Sequence, residues 1–141
     1  MKIKKILVPI SGNGADGEAI ALACTLAKKP KAKVYVVYII EVERSLPIDV
    51  QVASEVERSE KILTGAEDIA ADIGYDIETD LLQAREVGPG IIDEAMERGI
   101  DLIVMGVGYK MHFGEFDLGK AIPYVLKEAP CRVLLFREHI P

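Results

Sequence analysis

Val34-Tyr35-Val36-Val37-Tyr38-Ile39-Ile40 is the longest unbroken apolar run in the chain. A strand with one face in water alternates apolar and polar residues. A strand that is apolar at every position has both faces covered, as happens to an inner strand of a parallel sheet with helices on each side. At seven residues the run is also far short of the roughly 20 that a membrane-spanning helix needs. A buried central strand of this kind requires neighbouring strands and covering helices.

Both sides of the run supply them. Ahead of it, Ile6-Leu7-Val8-Pro9-Ile10 is a second buried run, followed by Ser11-Gly12-Asn13-Gly14 and a helical spacing that puts Ile20, Ala23, Cys24 and Ala27 on one face before Pro30. Behind it, a polar connection at residues 43–47 leads into a long helical pattern. Ile62, Ala66, Ile69, Ala70 and Ile73 share one face, Glu57, Arg58, Glu60 and Lys61 take the solvated side, and Gly74 is the expected cap. Tyr75, Ile77, Thr79 and Leu81 then alternate with Asp76, Glu78 and Asp80, the pattern of a half-exposed strand whose charges protect a sheet edge. After Gly88-Pro89-Gly90, the residues Ile91, Ile92, Ala95 and Met96 mark a short helix ending near Gly99. Residues 102–105 form another fully apolar strand, and a glycine-bearing loop covers 106–119. Ile122, Val125, Leu126 and Ala129 mark a last helix, and residues 133–136 a last strand.

The resulting β-α-β-α-β-α-β-α-β order predicts an α/β fold: an open five-stranded parallel sheet with right-handed crossovers and helices on both faces. The charged third strand belongs at an edge and the apolar first, second and fourth strands inside, which the order 3-2-1-4-5 satisfies. That order places the topological switch point between strands one and four, where ligands of open α/β sheets sit beyond the carboxyl ends of the strands. The loops meeting there are residues 11–16 and 106–119. At the opposite edge, Arg132, Val133, Leu134, Leu135 and Phe136 contain no proline and no charge after the first residue. Such an edge pairs with other chains unless it is covered, so it is the expected homodimer interface; the alternative is cover by the tail, residues 138–141.

Composition narrows the function. A chain of 141 residues, 50% hydrophobic and 28% charged, suits one globular domain with a sizeable core. A net charge of −6 has the wrong sign for the phosphate backbone, so nucleic acid is not an expected partner. Met1-Lys2-Ile3-Lys4-Lys5 imitates the start of a signal peptide, but the apolar stretch behind it breaks at Pro9 and Gly12 without a small-residue cleavage site. Cys24 and Cys131, far apart and without metal-type spacing, suit reduced thiols in the cytoplasm and small core roles. No nucleophile is set beside a base, no metal-ligand cluster appears and no carboxylates pair across a pocket, so an enzyme is not expected. His112, with Lys110, Glu115 and Asp117 in the same loop, and His139 in the tail read as solvated residues. Arg85 and Glu86 face either the switch point or water. Lys28, Lys29, Lys31 and Lys33 make a solubilising cluster or, less readily, a patch for an acidic partner.

The local signal with chemistry in it is the glycine loop. A strand, Gly106-Val107-Gly108, and then Gly119-Lys120 before a helix would let backbone N–H groups approach an anion with the positive end of the helix dipole behind them. Bland turn geometry explains the same glycines, and the spacing is neither the dinucleotide fingerprint nor a P-loop.

Beyond these readings the chain resembles the universal stress protein family across residues 4–137. The resemblance is carried by Ile6-Leu7-Val8-Pro9, by Asp101-Leu102-Ile103-Val104-Met105-Gly106, and by Val125-Leu126-Lys127-Glu128-Ala129-Pro130-Cys131-Arg132-Val133-Leu134. It implies a Rossmann-like five-stranded sandwich, a dimer through the last strand, and a role in stress response or regulation. Members that bind ATP carry the pattern G-x2-G-x9-G-[ST] after strand four and an aspartate shortly after strand one. Gly106 and Gly119 match the first and third glycines, but Tyr109 replaces the second, Lys120 the hydroxyl residue and Ser11 the aspartate. The nucleotide-binding set implied for ATP or another adenine nucleotide is Pro9, Ile10, Ser11, Ile40, Met105, Gly106, Gly108, Tyr109, Gly119, Lys120 and Ala121. Two readings follow. In one, Lys120 supplies the charge and Gly108 the close approach that Tyr109 denies, and a nucleotide binds in an altered pose. In the other, the chain is a nucleotide-free dimer acting through protein partners such as transporters.

Overall fold

A computed structural model describes residues 2–110, 115–116 and 119–139, and only the backbone of 109, 110, 115 and 116. The elements run β1 (Lys5–Ile10), α1 (Asp16–Lys28), β2 (Lys33–Glu41), α2 (Ala53–Ile73), β3 (Glu78–Ala84), α3 (Val87–Arg98) and β4 (Leu102–Val107). They continue with β5 (Tyr109–Lys110), β6 (Glu115–Phe116), α4 (Ala121–Glu128) and β7 (Arg132–Arg137). The main sheet is parallel with the order β3-β2-β1-β4-β7, which is 3-2-1-4-5 when only its own strands are counted. Inside the glycine loop, β5 and β6 pair antiparallel as a separate two-stranded ribbon.

The two-faced apolarity of β2 has a direct structural cause. Val34 and Val36 join Ile6, Val8 and Val104 under Ala23 and Cys24 of α1 and Leu63 and Ala66 of α2. Tyr35, Val37 and Ile39 point the other way, joining Leu7 and Ile103 under Ile91 and Ala95 of α3 and Ile122 and Val125 of α4. The inner strands β1, β2 and β4 therefore feed two cores, and burying both faces is the main apolar stabilisation available to a thin sheet. Gly74 caps α2 in a left-handed conformation (φ 81°), its N–H donating to Ala70 and Ala71. Cys24 is buried and Cys131 half-buried, both as free thiols, and burial raises the pKa of each.

Three details differ from the sequence reading. The third strand starts later than its alternation predicts, at Glu78, leaving Tyr75 and Ile77 ahead of it. Tyr75 is held elsewhere: its hydroxyl reaches the carbonyls of Ala27 and Ala32 across the α1–β2 turn, and its ring packs against the core. Met96 and Leu126, placed on core faces by their spacing, are 65% and 49% exposed. Each lies one residue, about 100° of helix turn, beyond the last buried position, Ala95 in α3 and Val125 in α4.

Candidate ligand-binding cleft

The sheet opens at the predicted switch point. Pairing between β1 and β4 covers Ile6–Leu102 and Leu7–Ile103, whereas β4 stays paired with β7 as far as Val107–Arg137. Pro9 has no N–H to offer a neighbouring strand, so the ladder has no reason to continue there. The parted strand ends floor a cleft of about 370 Å³. Pro9, Ile10, Met105, Gly106, Val107 and Gly108 form the floor; Val87 and Ile91 of α3 and Ala121 and Ile122 of α4 form one wall. Ser11, Asn13 and Asp16 stand on the β1 side, Gly119 and Lys120 on the other, and Glu41 closes the end. A second cavity of about 320 Å³ adjoins it, sharing Ile10, Ser11, Glu41 and Val87 and adding Tyr38, Ile40, Glu55, Arg58 and Ser59.

Of the nominated residues, Pro9, Ile10, Ser11, Met105, Gly106, Gly108, Gly119, Lys120 and Ala121 thus come together on one cleft, and Ile40 lines its neighbour. The side chain of Tyr109 lies outside the described residues, as do His112, Asp117 and the side chains of Lys110 and Glu115. Gly106 has a packing reason of its own. A Cβ there would stand 2.7 Å from the carbonyl oxygen of Ala15 and 3.0 Å from its Cβ, so glycine is what lets the loop after β1 lie directly on the end of β4. Gly119 precedes α4 with φ 65°, a left-handed conformation that favours glycine.

The β1 side is organised by Asp16, which spacing did not nominate. Its carboxylate accepts the N–H of Ser11 at 3.2 Å and of Gly12 at 2.6 Å, folding the loop back onto the first turn of α1. Asn13 Oδ1 accepts the N–H of Ala15 at 2.8 Å, and its Nδ2 donates to Ser11 Oγ at 2.8 Å. Burial pushes the Asp16 carboxyl above its usual range, opposed by the hydrogen bonds from Ser11, Gly12 and Asn13. Glu41, at the end of β2, accepts the N–H of Val87 at 3.3 Å, also a contact that spacing did not reveal. For Asp16 the available signal was an acidic residue at the first position of α1, where carboxylates favour free N–H groups; the contact of Glu41 with Val87, 46 residues away in sequence, left no such signal.

Arg85 and Glu86 do not face the cleft. Arg85 Nη1 donates to the carbonyls of Glu43 and Leu46 at 2.6 and 2.7 Å, clamping the β2–α2 connection, and exposed Glu86 lies 3.8 Å from Arg44. Among the described residues no three His, Cys, Asp or Glu side chains gather as a metal site. No helix among them is long and apolar enough to cross a membrane.

The model of the Universal stress protein family matches residues 2–137. The chain belongs to the universal stress protein family. A relative, Universal stress protein MJ0531 of Methanocaldococcus jannaschii, is 28% identical over 141 residues, covering 96% of this chain and 82% of its own. Among solved structures, this universal stress protein is similar to the universal stress protein from Archaeoglobus fulgidus in complex with dAMP. The TM-score is 0.74 at 21% identity, over 96% of this chain and 98% of that one. It is equally similar to a universal stress protein in complex with cAMP, at TM-score 0.74 and 19% identity over the full length of both chains. At such identities the likeness establishes the Rossmann-like fold.

Proposed function

We propose that this universal stress protein is a non-catalytic regulatory module of the stress-response type, which holds an adenine nucleotide in the cleft between β1 and β4 and works in the cytoplasm as a homodimer through β7. The observation that carries the ligand half is the cleft itself: an apolar floor and wall wide enough for a flat base, with backbone-rich loops and Lys120 at the opposite rim. Similar folds described with dAMP and cAMP support the same class of ligand. The homodimer half rests on β7, an edge strand whose only charges are at its ends and whose Leu134 is 37% exposed. Among the described residues lining the cleft no nucleophile is set beside a base, and turnover is not the expected output.

Titration calorimetry with ATP, ADP, AMP and cyclic nucleotides, after a check for co-purified nucleotide, tests the ligand half. Micromolar binding that is lost in Lys120→Ala is the expected result. Silence across the panel at millimolar ligand overturns it and leaves the other reading, a nucleotide-free dimer acting through protein partners, which the replacements Ser11, Tyr109 and Lys120 favour.

A further inference from the structure

We propose that the end of the sheet remote from the cleft is a docking face for an anionic phospholipid surface. Lys2, Lys4, Lys28, Lys29, Lys31 and Lys33 are all exposed there. The backbone gathers them: Lys5 of β1 and Lys33 of β2 are paired, the N–H of Lys33 donates to the carbonyl of Lys4 at 2.8 Å, and the N–H of Lys31 donates to the carbonyl of Lys28 at 3.3 Å. In a chain with 23 Asp and Glu residues, none of these six lysines forms an ion pair among the described residues. The nearby carboxylates have other partners or share only a border. Asp101 accepts the N–H groups of Lys4 and Lys5 at 2.8 and 3.0 Å. Asp76 and Glu78 border the shallow hollow that Lys31 and Lys33 line, and Glu78 lies 3.9 Å from Arg98. Lys31 adds an independent sign. It is the one non-glycine residue among those described with a positive φ, 58°, in the turn after α1, where glycine is favoured. A lysine is strained there, so the charge is held against the preference of the backbone.

The chemistry of this face suits a lipid surface better than a nucleic acid. Its charges are lysines, compact point charges without the planar fork that grips one phosphate in two places. They come from the start of β1, the end of α1 and the start of β2, and so form a broad end of the molecule. Leu26, 37% exposed in the last turns of α1, adds an apolar contact beside them. Tyr75, the aromatic residue of the hollow, packs against the core and donates its hydroxyl to Ala27 and Ala32, so it offers no stacking platform for a base. An array of anionic headgroups meets all six lysines at once. The net charge of −6 does not cancel the attraction. Charges are screened beyond about 8 Å at physiological ionic strength, and β2 runs roughly 30 Å from Lys33 to Glu41 at the cleft. Docked this way, the cleft opens on the side away from the membrane.

The test is co-sedimentation of the full-length chain with vesicles. At about 0.15 M salt, mixed phosphatidylserine and phosphatidylcholine vesicles are expected to carry the wild type down and pure phosphatidylcholine to leave it in solution, with binding lost at about 1 M salt. Lys31→Gly removes the charge and the strain together. It is expected to weaken vesicle binding about fivefold, the effect of one surface lysine, while raising the urea midpoint, a combination that a purely structural residue would not give. Lys29→Gln is expected to weaken binding by a similar factor, and Lys61→Gln, on α2 and 3.9 Å from Glu57, to leave it unchanged. No binding to the anionic vesicles, or equal binding to both kinds, overturns the proposal. A loss as large for Lys61→Gln as for Lys29→Gln overturns the assignment to this end of the sheet. Displacement from the vesicles by single-stranded DNA at equal phosphate concentration overturns lipid as the partner.

Discussion

Gly106 and Ala15 touch so closely that the end of β4 and the loop after β1 behave as one surface, with 2.7 Å between the Ala15 carbonyl oxygen and the place a Cβ on Gly106 would occupy. The atom in the way is backbone, and it cannot rotate aside as a side chain would. The glycine that the sequence offers as a phosphate contact is therefore already required for holding the cleft's two sides at their observed separation.

Gly106→Ala is expected to lower stability by about 1–3 kcal/mol, the range for forcing an extra carbon into a packed site. It should also weaken any cleft ligand, because Ser11 and Asp16 move with the loop. Urea unfolding read alongside calorimetry checks both, and an unchanged denaturation midpoint would show that the loop yields without cost.

Asp16 predicts a pH dependence whose sign follows from burial. Its folded pKa is raised above the ordinary 3.8, so the native state holds the proton more tightly than the unfolded chain does. The contribution favours folding below the ordinary value and is lost as pH rises through the folded one. The stability difference between wild type and Asp16→Asn should therefore drift against the wild type across that window and be flat above it. Denaturant midpoints of the two proteins, measured in parallel from pH 3 to 7, give the answer; a difference that shifts in favour of the wild type as pH rises would reverse the assigned cause.

The charged edge is held by Arg98. Its Nε donates to Glu94 at 2.7 Å and its Nη2 to Asp80 at 2.9 Å, and the guanidinium lies 4.5 Å from the centre of the Tyr35 ring. With the Glu94 side chain only 10% exposed, Arg98→Met strands a carboxylate and is expected to cost about 2 kcal/mol. Adding Glu94→Gln should recover part of that loss in the same unfolding assay; a double variant no better than the single one would show that the ion pair itself contributes little.

On the opposite edge, Leu134→Lys places a charge in the middle of β7. Sedimentation velocity is expected to show a dimer for the wild type and a monomer for the variant, with circular dichroism unchanged. A variant that remains dimeric moves the interface away from this strand.

Much of this architecture was legible in the chain order. Four short apolar runs and one alternating strand separated by helical spacings lead to an open parallel sheet, and the charges on the third strand against the apolarity of Val34-Tyr35-Val36-Val37 lead to its strand order. Strand three's start was not, because alternation continues through Tyr75 and Ile77 although Tyr75 is committed to the α1–β2 turn. The switch point located the two loops at residues 11–16 and 106–119, and the family resemblance nominated Pro9, Ile10, Met105, Gly106 and Lys120, which line one cleft.

By itself the sequence determined most of the residues that lie inside, Met96 and Leu126 being the exceptions, because hydrophobic periodicity is a local property that any fold has to satisfy. Only the tertiary structure decided what the polar residues do. Asp16 and Glu41 bind backbone N–H groups, Glu138 reaches between two loops from the far end of the chain, and Arg85 turns away from the cleft to hold a connection. A polar side chain acts through partners a few ångströms away in space, and chain topology, rather than position in sequence, sets which partners those are.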